Sequence, residues 1–388
     1  MNNVIYFQSG GPTSVINTSL YGAIKAFQES DKIEKFYGSK YGIEGILNED
    51  LIEIDSKEDY SSLLKIPSAV LGSSRKKIDF NDQHLMNKII EVLKKYSIKY
   101  ILVNGGNDSM DTANKLKKYF TSINFPCHVI GVCKTVDNDL EEMDFTPGFA
   151  SAVNYIVKTV MEINLDTRVY KKGRVTIIET MGRDAGWLCL SSSIANDYNL
   201  GPDLIYLPER PFSVEQFIED VKKVYEKKQR VLVCVSEALK DENGNYLFCD
   251  KNNVDAFGHF LLGSNSRKLC DLVELKLGYK TRNIELNLMQ RCSSLLINKL
   301  DSEVAYNCGY HAIKFALDNL DGVVCVKFND QITYTLTSFD KVANLVKHVP
   351  LSFINEEGNG VSQVGKDYLK IFKDDSLKFE IPTIFRWE

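Results

Sequence analysis

Short apolar segments alternate with longer amphipathic segments along most of this chain, and this alternation restricts the possible fold more than any other feature. The apolar segments lie at residues 3–7, 100–103, 128–132, 174–178, 203–208, 230–236 and 322–328. Strands that are apolar throughout are buried on both faces, as in parallel β-α-β units whose helices cover both sides of the sheet. Because 388 residues can fill two such sheets, the pattern predicts an α/β protein with mostly parallel sheets.

The segments between the strands predict helices and one exposed connection. Helical patterns cover residues 13–27, 108–120 and 211–228. The third begins with Ser213 followed three residues later by Gln216, which is the spacing of a helix capping box. Residues 240–253 are predicted to form an exposed hairpin or loop.

Composition and charge exclude several classes of protein. The formal net charge of −5 and the isoelectric point of about 5.7 argue against a broad nucleic-acid-binding surface. No run of about 18 apolar residues occurs, so no membrane span is expected, and the N-terminus lacks the basic segment of a signal peptide. Nine cysteines without a C-x-x-C pair and five dispersed histidines predict reduced thiols, a cytoplasmic location and no zinc site.

The turns after the predicted strands carry the main candidate functional residues, because ligands of open parallel sheets collect at this edge. Gly10 and Gly11 follow the first apolar segment, and Gly105 and Gly106 follow the second. A strand that runs through glycines into a helix offers backbone N–H groups to an anion, although a double glycine alone also fits a plain tight turn. Asp108 is unexpected in such a turn, since a carboxylate repels phosphate.

Charged residues occupy three further turns. The basic cluster at residues 75–77 fits either an anion site or a solvated surface. Lys134, Asp137 and Asp139 crowd the end of one strand, and they fit either an ion-paired turn or a general base beside a magnesium carboxylate. Arg183 follows another strand. Charged or glycine turns after so many successive strands are hard to explain as coincidence.

Eight short motifs occur in the order and approximate spacing of one known family. They are SGGPTSVIN (9–17), LGSSR (71–75), GGNDS (105–109), KTVDND (134–139), TPGF (146–149), MGR (181–183), SEAL (236–239) and NLMQR (287–291). No single motif is specific, but their ordered combination over about residues 3–330 resembles the phosphofructokinases.

The resemblance implies two Rossmann-like domains with the active site in the cleft between them. It implies transfer of a phosphoryl group to the 1-hydroxyl of fructose 6-phosphate, with Mg²⁺ as cofactor and no nucleic acid or membrane as partner. The phosphoryl-donor domain is predicted at residues 1–140 plus about 291–330, and the fructose 6-phosphate domain at about 141–290 plus 331–388. Arginines shared across a subunit interface imply a homodimer or homotetramer.

Carried over motif by motif, the resemblance implies roles for the matching residues. Asp137 would take the proton of the sugar hydroxyl, Arg183 would stabilise the phosphoryl group in flight, and Lys134 would add a cation. The donor would be bound by Gly11, Arg75, Asp108 and Lys134, and the metal by Asp108 and Asp139. The sugar phosphate would be bound by Thr135, Asp137, Met181, Gly182, Arg183, Glu237 and Arg291, with Arg174 and Arg282 reaching the 6-phosphate of a neighbouring subunit.

Asp108 and Lys134 resemble the pyrophosphate-dependent branch of the family. Nucleotide-using members resemble GGDGS where this chain has GGNDS, and they lack a lysine before TxDND. A carboxylate in place of the glycine fills space and repels the α-phosphate of a nucleotide, while the lysine adds a compact cation for a donor without adenosine. The expected reaction is reversible transfer from pyrophosphate to fructose 6-phosphate, giving fructose 1,6-bisphosphate and phosphate in glycolysis and gluconeogenesis.

Two departures from the family pattern accompany this prediction. Asn107 stands where the family usually has a metal-associated aspartate, and Leu288 stands where many members have a sugar-phosphate histidine. Three alternatives stay open at this point: an ATP-dependent phosphofructokinase, a non-catalytic sugar-phosphate-binding regulatory subunit, and a lipid or NAD kinase with a related glycine motif. The segment after about residue 335 matches the family only loosely.

Overall fold

The structure is a computed structural model that describes residues 2–74, 76–254 and 260–382. Its α-helices and strands are, in chain order, β1 (Asn3–Gln8), α1 (Ile16–Gln28), β2 (Phe36–Ser39), α2 (Ile43–Asn48), β3 (Leu51–Ile54), α3 (Gln83–Lys95), β4 (Ile98–Gly105), α4 (Asn107–Ser122), β5 (His128–Cys133), α5 (Phe149–Thr167), β6 (Val175–Thr180), α6 (Trp187–Ser191), β7 (Leu204–Tyr206), α7 (Val214–Lys228), β8 (Val231–Ser236), β9 (Cys249–Val254), β10 (Phe260–Leu262), α8 (Asn265–Leu277), β11 (Thr281–Glu285), α9 (Met289–Cys292), α10 (Lys299–Leu317), β12 (Gly322–Asn329), β13 (Gln331–Thr337) and α11 (Gln363–Leu369).

The chain divides into two compact units. The first consists of Met1–Ser151 and Arg291–Lys347, and the second of Ala152–Gln290 and His348–Glu388. Short 3-10 helices lie at Ser61–Leu64 and Phe339–Lys341 in the first unit and at Ser192–Tyr198, Leu351–Phe353, Lys370–Phe372 and Asp375–Leu377 in the second.

The sheet of the first unit has its strands in the order β13-β12-β5-β4-β1-β2-β3. The five inner strands are parallel, whereas β13 and β3 pair antiparallel at the two edges. Strands β1, β4 and β5 are buried along nearly their whole length, as their apolar sequences predict. Since β5, β4 and β1 are neighbours, the turns that follow them lie side by side at one edge of the sheet.

Helices α1 and α10 pack closely against each other because each carries a glycine at the contact between them. A Cβ on Gly22 would lie 1.9 Å from the carbonyl oxygen of Tyr306, and a Cβ on Gly309 would lie 1.8 Å from that of Ser19. Helix α1 starts at Ile16, three residues later than predicted. The carbonyl of Thr13 accepts the backbone N–H of Ser68 (3.1 Å), and the helical hydrogen bonds begin with the carbonyl of Val15, which accepts the N–H groups of Thr18 (3.0 Å) and Ser19 (3.3 Å).

The second unit has a four-stranded parallel sheet in the order β11-β6-β8-β7, and an antiparallel pair β9-β10. Helices α7 and α8 cover the sheet with an apolar cluster that includes Phe217, Val221, Leu269 and Val273. The turns after β6 and β8 are adjacent because these two strands pair.

Most predicted elements are confirmed within a few residues. Ser213 caps α7, since its hydroxyl accepts the backbone N–H of Gln216 (3.2 Å). Residues 240–246 of the predicted 240–253 loop form a hairpin closed by the bridge between Lys240 and Tyr246, whereas β9 begins at Cys249. The nine cysteines are free thiols, and seven of them are buried. No helix in the described ranges has the length and hydropathy that a membrane span requires.

The compact units differ from the predicted domain ranges at two places. The first unit extends to residue 151 rather than 140, and it also includes residues 331–347, which the sequence placed in the second domain. Strand β13 belongs to the first unit because it pairs with β12 along seven residue pairs from Val323–Thr337 to Asn329–Gln331. A hairpin register of this kind is decided by strand pairing rather than by local sequence.

Candidate active site

The turn after β1 is built by two glycines and has two cations beside it. Gly10 has a φ of 76°, which glycine adopts without strain. The Lys134 ammonium donates a hydrogen bond to the carbonyl oxygen of Gly11 (2.5 Å), and a Cβ on Gly11 would lie 2.9 Å from an Nη atom of Arg291. Lys134 is only 2% exposed, so its charge acts on this turn with little screening by water. Two cationic side chains therefore lie beside the Gly10–Gly11 turn.

A loop from another part of the chain lies against this turn. The backbone N–H of Gly10 donates to the carbonyl of Ser74 (3.4 Å), and the hydroxyl of Ser73 donates to the carbonyl of Gly10 (2.6 Å). The LGSSR motif thus reaches the strand-end edge through hydrogen bonds, although it does not follow a strand as the sequence suggested. The predicted donor-binding residue Arg75 lies outside the described residues.

The turn between β4 and α4 presents a carboxylate at a helix start. Gly106 is the N-cap residue of α4, and Asp108 lies exposed in the first helical turn, where a negative charge is favourable to the helix dipole. Gly105 cannot be replaced easily, because a Cβ there would lie 2.1 Å from the hydroxyl oxygen of Ser109. The carbonyl of Gly105 accepts the backbone N–H of Lys134 (3.0 Å), which joins this turn to the turn after β5.

Asn107, the departure from the family pattern, has partners for both ends of its side-chain amide. Its Oδ1 accepts the backbone N–H of Asn344 (2.6 Å), and its Nδ2 donates to the carbonyl of Leu345. An aspartate could not donate to that carbonyl. The asparagine therefore holds a distant segment of the first unit, which the sequence alone did not reveal.

The turn after β5 is stabilised by its own side chains. The hydroxyl of Thr135 accepts the backbone N–H of Asp137 (3.1 Å) and lies 3.5 Å from the carboxylate oxygen of the same residue. Asn138 is fully buried and has a φ of 54°, in the left-handed region, and its Oδ1 accepts the backbone N–H of Thr146 (3.1 Å). The turn is thereby fixed in a conformation that non-glycine residues adopt rarely.

The TPGF motif, which follows the turn in the chain, supports it through hydrogen bonds. The hydroxyl of Thr146 donates to the carbonyl of Thr135 (2.9 Å). Gly148 has a φ of 107°, and its N–H donates to the carboxylate of Asp301 (2.8 Å), which also accepts the N–H of Ser151 (2.9 Å). Burial raises the pKa of Asp301 to about 6. Sequence reasoning missed Asp301, since an acid in the first turn of a helix has no distinctive pattern.

Asp139 has the electrostatic environment of a cation ligand. Its Oδ1 is buried and, among the described residues, has no hydrogen-bond partner. Burial, together with the carboxylate of Asp137, raises the pKa of Asp139 to about 7, although the ammonium of Lys347 opposes this shift. The described part of the chain contains no group of three His, Cys, Asp or Glu side chains able to hold a metal ion. A cation here would therefore have few protein ligands, which suits Mg²⁺ with its retained waters.

In the second unit, the turn after β6 contains Gly182 and Arg183 in unusual conformations. Gly182 has a φ of 141°, and a Cβ there would lie 2.4 Å from the carbonyl oxygen of Ala185. Arg183 has a φ of 46°, which is uncommon for a non-glycine residue and is often found at functional sites. One carboxylate oxygen of Glu237, after β8, accepts the backbone N–H groups of Gly182 (3.1 Å) and Arg183 (3.0 Å).

Two further residues hold this turn and were not identified from the sequence. Gln290 is buried, and its Oε1 accepts the backbone N–H of Met181 (3.2 Å). Asp184 accepts hydrogen bonds from the ammonium of Lys240 (2.6 Å) and the hydroxyl of Tyr246 (2.7 Å). Burial disfavours the Asp184 charge, but these two donors hold its pKa below the ordinary value. The MGR turn is thus fixed on both sides of Arg183.

Glu179 is a buried acid close to the same turn, at the end of β6. One of its carboxylate oxygens accepts the backbone N–H of Ser266 (2.7 Å). Burial, with the negative charges of Glu285 and Glu237, raises its pKa to about 7. A carboxyl group with a pKa of about 7 therefore lies two residues before Met181, the first residue of the MGR motif.

Arg174 and Arg282 lie together, but at the other end of this sheet. Both are exposed and line one surface depression, and Arg282 pairs with Asp166 (2.7 Å). Arg174 directly precedes β6, whereas Met181 directly follows it. A strand of this length spans roughly 20 Å, so these arginines are remote from the MGR turn of their own chain.

The structure therefore groups the predicted residues in three places, one of which is the depression lined by Arg174 and Arg282. Gly11, Asp108, Lys134, Thr135, Asp137, Asp139 and Arg291 lie on turns at the strand-end edge of the first unit or against them. Met181, Gly182, Arg183 and Glu237 lie together in the second unit. Arg291, predicted as a sugar-phosphate ligand, lies beside Gly11 of the first unit. Leu288 is 57% exposed.

Glycine turns, cations and carboxylates at the carboxyl ends of parallel strands define an α/β protein built to bind phosphate groups. The chain belongs to the phosphofructokinase family, since the family model described as Phosphofructokinase matches residues 3–316. The predicted family is thereby confirmed.

Individual relatives and a solved structure agree with this assignment. The chain is 34% identical to a pyrophosphate–fructose 6-phosphate 1-phosphotransferase of Halomonas elongata, over 95% of this chain and 91% of the relative. It is 33% identical to the protein of the same name from Methylococcus capsulatus, over 95% and 90%. A crystal structure of a pyrophosphate-dependent phosphofructokinase from Nitrosospira multiformis superposes with a TM-score of 0.84 at 30% identity, covering 98% of this chain and 92% of that one. The predicted fold class is confirmed.

Proposed function

We propose that this protein transfers a phosphoryl group from pyrophosphate to the 1-hydroxyl of fructose 6-phosphate, giving fructose 1,6-bisphosphate and phosphate. The observation that carries the proposal is Lys134, a buried lysine whose ammonium is held against the Gly10–Gly11 turn. A fixed cation at a glycine turn suits a small, highly charged phosphate donor. The names of the most similar relatives favour pyrophosphate over ATP.

Asp137 is the proposed general base. The sugar oxygen forms a bond to one phosphorus of pyrophosphate, the bridging P–O bond breaks, phosphate leaves, and the hydroxyl proton passes to the Asp137 carboxylate. Phosphoryl transfer depends on in-line positioning and on positive charge around the transferring group rather than on covalent help. The hydrogen bond between the Thr135 hydroxyl and the Asp137 backbone supports this role, because it fixes the carboxylate at the strand-end edge.

Arg183 and Lys134 are the proposed cations for the transferring group. The conformation of Arg183 is supported by Glu237, which accepts its backbone N–H, and preorganised charge of this kind lowers a barrier without a reorganisation cost at the moment of reaction. Lys134 belongs to the first compact unit and Arg183 to the second. We assign the donor to residues of the first unit, and the sugar phosphate to Met181, Gly182 and Glu237 of the second unit with Thr135 and Arg291 of the first.

The donor preference is assigned to Asp108 together with Lys134. Asp108 is exposed at the first turn of α4, where its charge and volume oppose the additional phosphate of a nucleotide. Gly11 and Arg75 complete the proposed donor site.

Mg²⁺ is the proposed cofactor, with Asp139 and Asp108 as its protein ligands. The support is the buried Oδ1 of Asp139, which lacks a hydrogen-bond partner among the described residues. A bound cation would offset the burial and the Asp137 charge that raise the pKa of this carboxyl. When bound, Mg²⁺ would neutralise charge on the phosphate oxygens of the donor.

The sugar phosphate is assigned to Thr135, Met181, Gly182, Glu237 and Arg291. Arg174 and Arg282 are assigned to the 6-phosphate bound by a neighbouring subunit, which makes the protein a homodimer or homotetramer. Their separation from the MGR turn, by the length of β6, supports this assignment. A cytoplasmic location stays a prediction.

The test is an assay of the purified chain with fructose 6-phosphate, Mg²⁺ and either pyrophosphate or ATP as donor, following fructose 1,6-bisphosphate. We expect product with pyrophosphate and at least about 100-fold lower kcat/KM with ATP. Turnover with ATP alone would favour the ATP-dependent enzyme. Binding of fructose 6-phosphate in calorimetry, without product from either donor, would favour the regulatory subunit.

A further inference from the structure

Residues 339–347 follow β13 and are fastened to the first unit near its strand-end edge. Phe339 is buried and packs on β5, since a Cβ on Gly131 would lie 3.2 Å from a ring carbon of Phe339. Asp340 accepts a hydrogen bond from the side chain of Asn114 on α4 (2.9 Å). The beginning of the segment is therefore anchored on both the sheet and the helix that follows β4.

The middle of the segment is bound to the start of α4. Asn344 donates its backbone N–H to the side chain of Asn107, and Leu345 accepts from the same amide. The side chain of Asn344 also donates to the carboxylate of Asp111 (2.9 Å). These bonds fix the segment one residue from Asp108, the proposed determinant of donor choice.

The end of the segment is bound to the turn after β5 through Lys347. The backbone N–H of Lys347 donates to the carbonyl of Asp139 (2.8 Å). Its ammonium donates to the carbonyls of Met143 (2.9 Å) and Asp144 (3.1 Å). The same ammonium lies 3.3 Å from the Oδ1 of Asn138. One lysine thus holds both ends of the 138–144 loop.

We propose that Lys347 is a positioning residue that holds the TVDND turn, and with it Asp137 and Asp139, in the conformation needed for phosphoryl transfer. The turn needs such support because Asn138 has a left-handed backbone conformation, which persists only where the surroundings fix it. The ammonium of Lys347 binds the carbonyls of Met143 and Asp144, and it lies close to the Asn138 Oδ1 that also accepts the backbone N–H of Thr146. Lys347 does not touch the transferring group in this scheme and acts only through the turn.

The proposal deepens the proposed function and rests on it for its kinetic readout. Lys347 could not be identified from its sequence context, since it lies in the segment that matches the family only loosely and belongs to no motif. Its importance follows from four contacts made with residues about 200 positions earlier in the chain.

The test compares Lys347→Met with Lys341→Met in the full chain. Both variants remove one ammonium from the same segment, but Lys341 is exposed. We expect Lys347→Met to lower kcat with pyrophosphate about 10- to 100-fold, as misplacement of a reacting group does, while KM for fructose 6-phosphate stays within about twofold. Amide hydrogen exchange should become at least about tenfold faster in residues 135–144 and stay unchanged elsewhere. Lys341→Met should match the wild type in every measurement.

Several outcomes overturn the proposal. They are an unchanged kcat in Lys347→Met, an equal loss in Lys341→Met, or a loss accompanied by faster exchange throughout the chain, which indicates general unfolding. If Lys347→Met does not fold, Lys347→Gln, which keeps a donor, is measured in the same way. If the wild type does not use pyrophosphate, the proposed function fails. The amide hydrogen exchange of Lys347→Met then tests the positioning role by itself. Faster exchange confined to residues 135–144 supports this role, and an unchanged exchange rate refutes it.

Discussion

A carboxylate oxygen of Glu237 lies 3.0 Å from the backbone nitrogen of Arg183 and accepts its hydrogen bond. The same oxygen accepts from Gly182, so Glu237 shapes the turn that carries the arginine. Charge-assisted bonds of this kind contribute about 1.5–3 kcal/mol each. Arg183 depends on this acceptor because its left-handed conformation is otherwise unfavourable.

Replacement of Glu237 will therefore impair catalysis. We expect Glu237→Ala to lower kcat/KM about 10- to 100-fold, because the turn loses the acceptor of two bonds, and Glu237→Gln to lose less because an amide oxygen can still accept both. Steady-state kinetics with pyrophosphate measures this. Glu242→Ala, at an exposed glutamate in the 240–246 hairpin, is the control and should be unchanged.

Donor choice should respond to Asp108 and Lys134 together. Asp108→Gly removes the carboxylate that opposes a nucleotide, and we expect ATP-dependent turnover to become measurable, more so when Lys134 is also changed to Gly. Pyrophosphate turnover should fall in the double variant because the buried cation is lost. The ratio of kcat/KM for the two donors is the measurement, and an unaltered ratio in both variants would refute the account of this pair.

If Asp137 is the general base, its replacement lowers the rate of the chemical step and leaves substrate binding nearly unchanged. Asp137→Ala should reduce kcat about 100- to 10,000-fold, the range for removal of a general base, while calorimetry shows fructose 6-phosphate binding within a few-fold of the wild type. Retained turnover in this variant would remove Asp137 from the base role. Far-ultraviolet circular dichroism of the variant checks that the fold is intact.

Sharing of arginines between subunits predicts complementation between inactive variants. We expect both Arg282→Ala and Asp137→Ala to have little activity alone. After mixed refolding in equal amounts, hybrid dimers contain one site with both residues intact, so activity should return to about a quarter of the wild type. Absence of recovery, with hybrids verified by native mass spectrometry, would mean that Arg282 does not serve a neighbouring chain.

The pKa of Glu179 predicts how stability depends on pH. Burial raises this pKa to about 7, so the folded chain binds more protons than the unfolded chain between about pH 4.5 and 7, and the contribution of Glu179 to stability is lost as pH rises through that range. Glu179→Gln keeps an acceptor for Ser266 and removes the titration. The Tm of the variant minus that of the wild type should therefore rise from pH 5 to pH 8. The corresponding change in the free energy of unfolding is at most about 3 kcal/mol.

Thermal unfolding at several pH values decides this last prediction. Glu219→Gln is the matched control, since Glu219 is exposed on α7 and is not among the charges that raise the pKa of Glu179. A difference in Tm between Glu179→Gln and the wild type that does not vary with pH would contradict the assignment.

The strands and the motif-bearing turns could be predicted because each depends on residues close together in the chain. Strand β4 was predicted at 100–103 and observed at Ile98–Gly105, and its glycine turn follows as expected. Boundaries were less accurate where distant residues make contacts, as at α1, where Ser68 binds the carbonyl of Thr13 and the helix starts three residues later than predicted. The membership of β13 could not be predicted either, because it depends on pairing with β12.

The α/β class, the glycine turns at the strand ends and the residue types that chemistry with phosphate requires can be read from the sequence without the structure. Periodicity and short motifs are local, so they survive in a sequence without its fold. Which side chains support those turns depends on the tertiary fold. The ammonium of Lys134 meets Gly11 across 123 positions of chain, and Asn107, Asp301, Gln290 and Lys347 bind partners that are equally remote. Such contacts leave no periodic pattern, because strand order and packing alone bring the partners together.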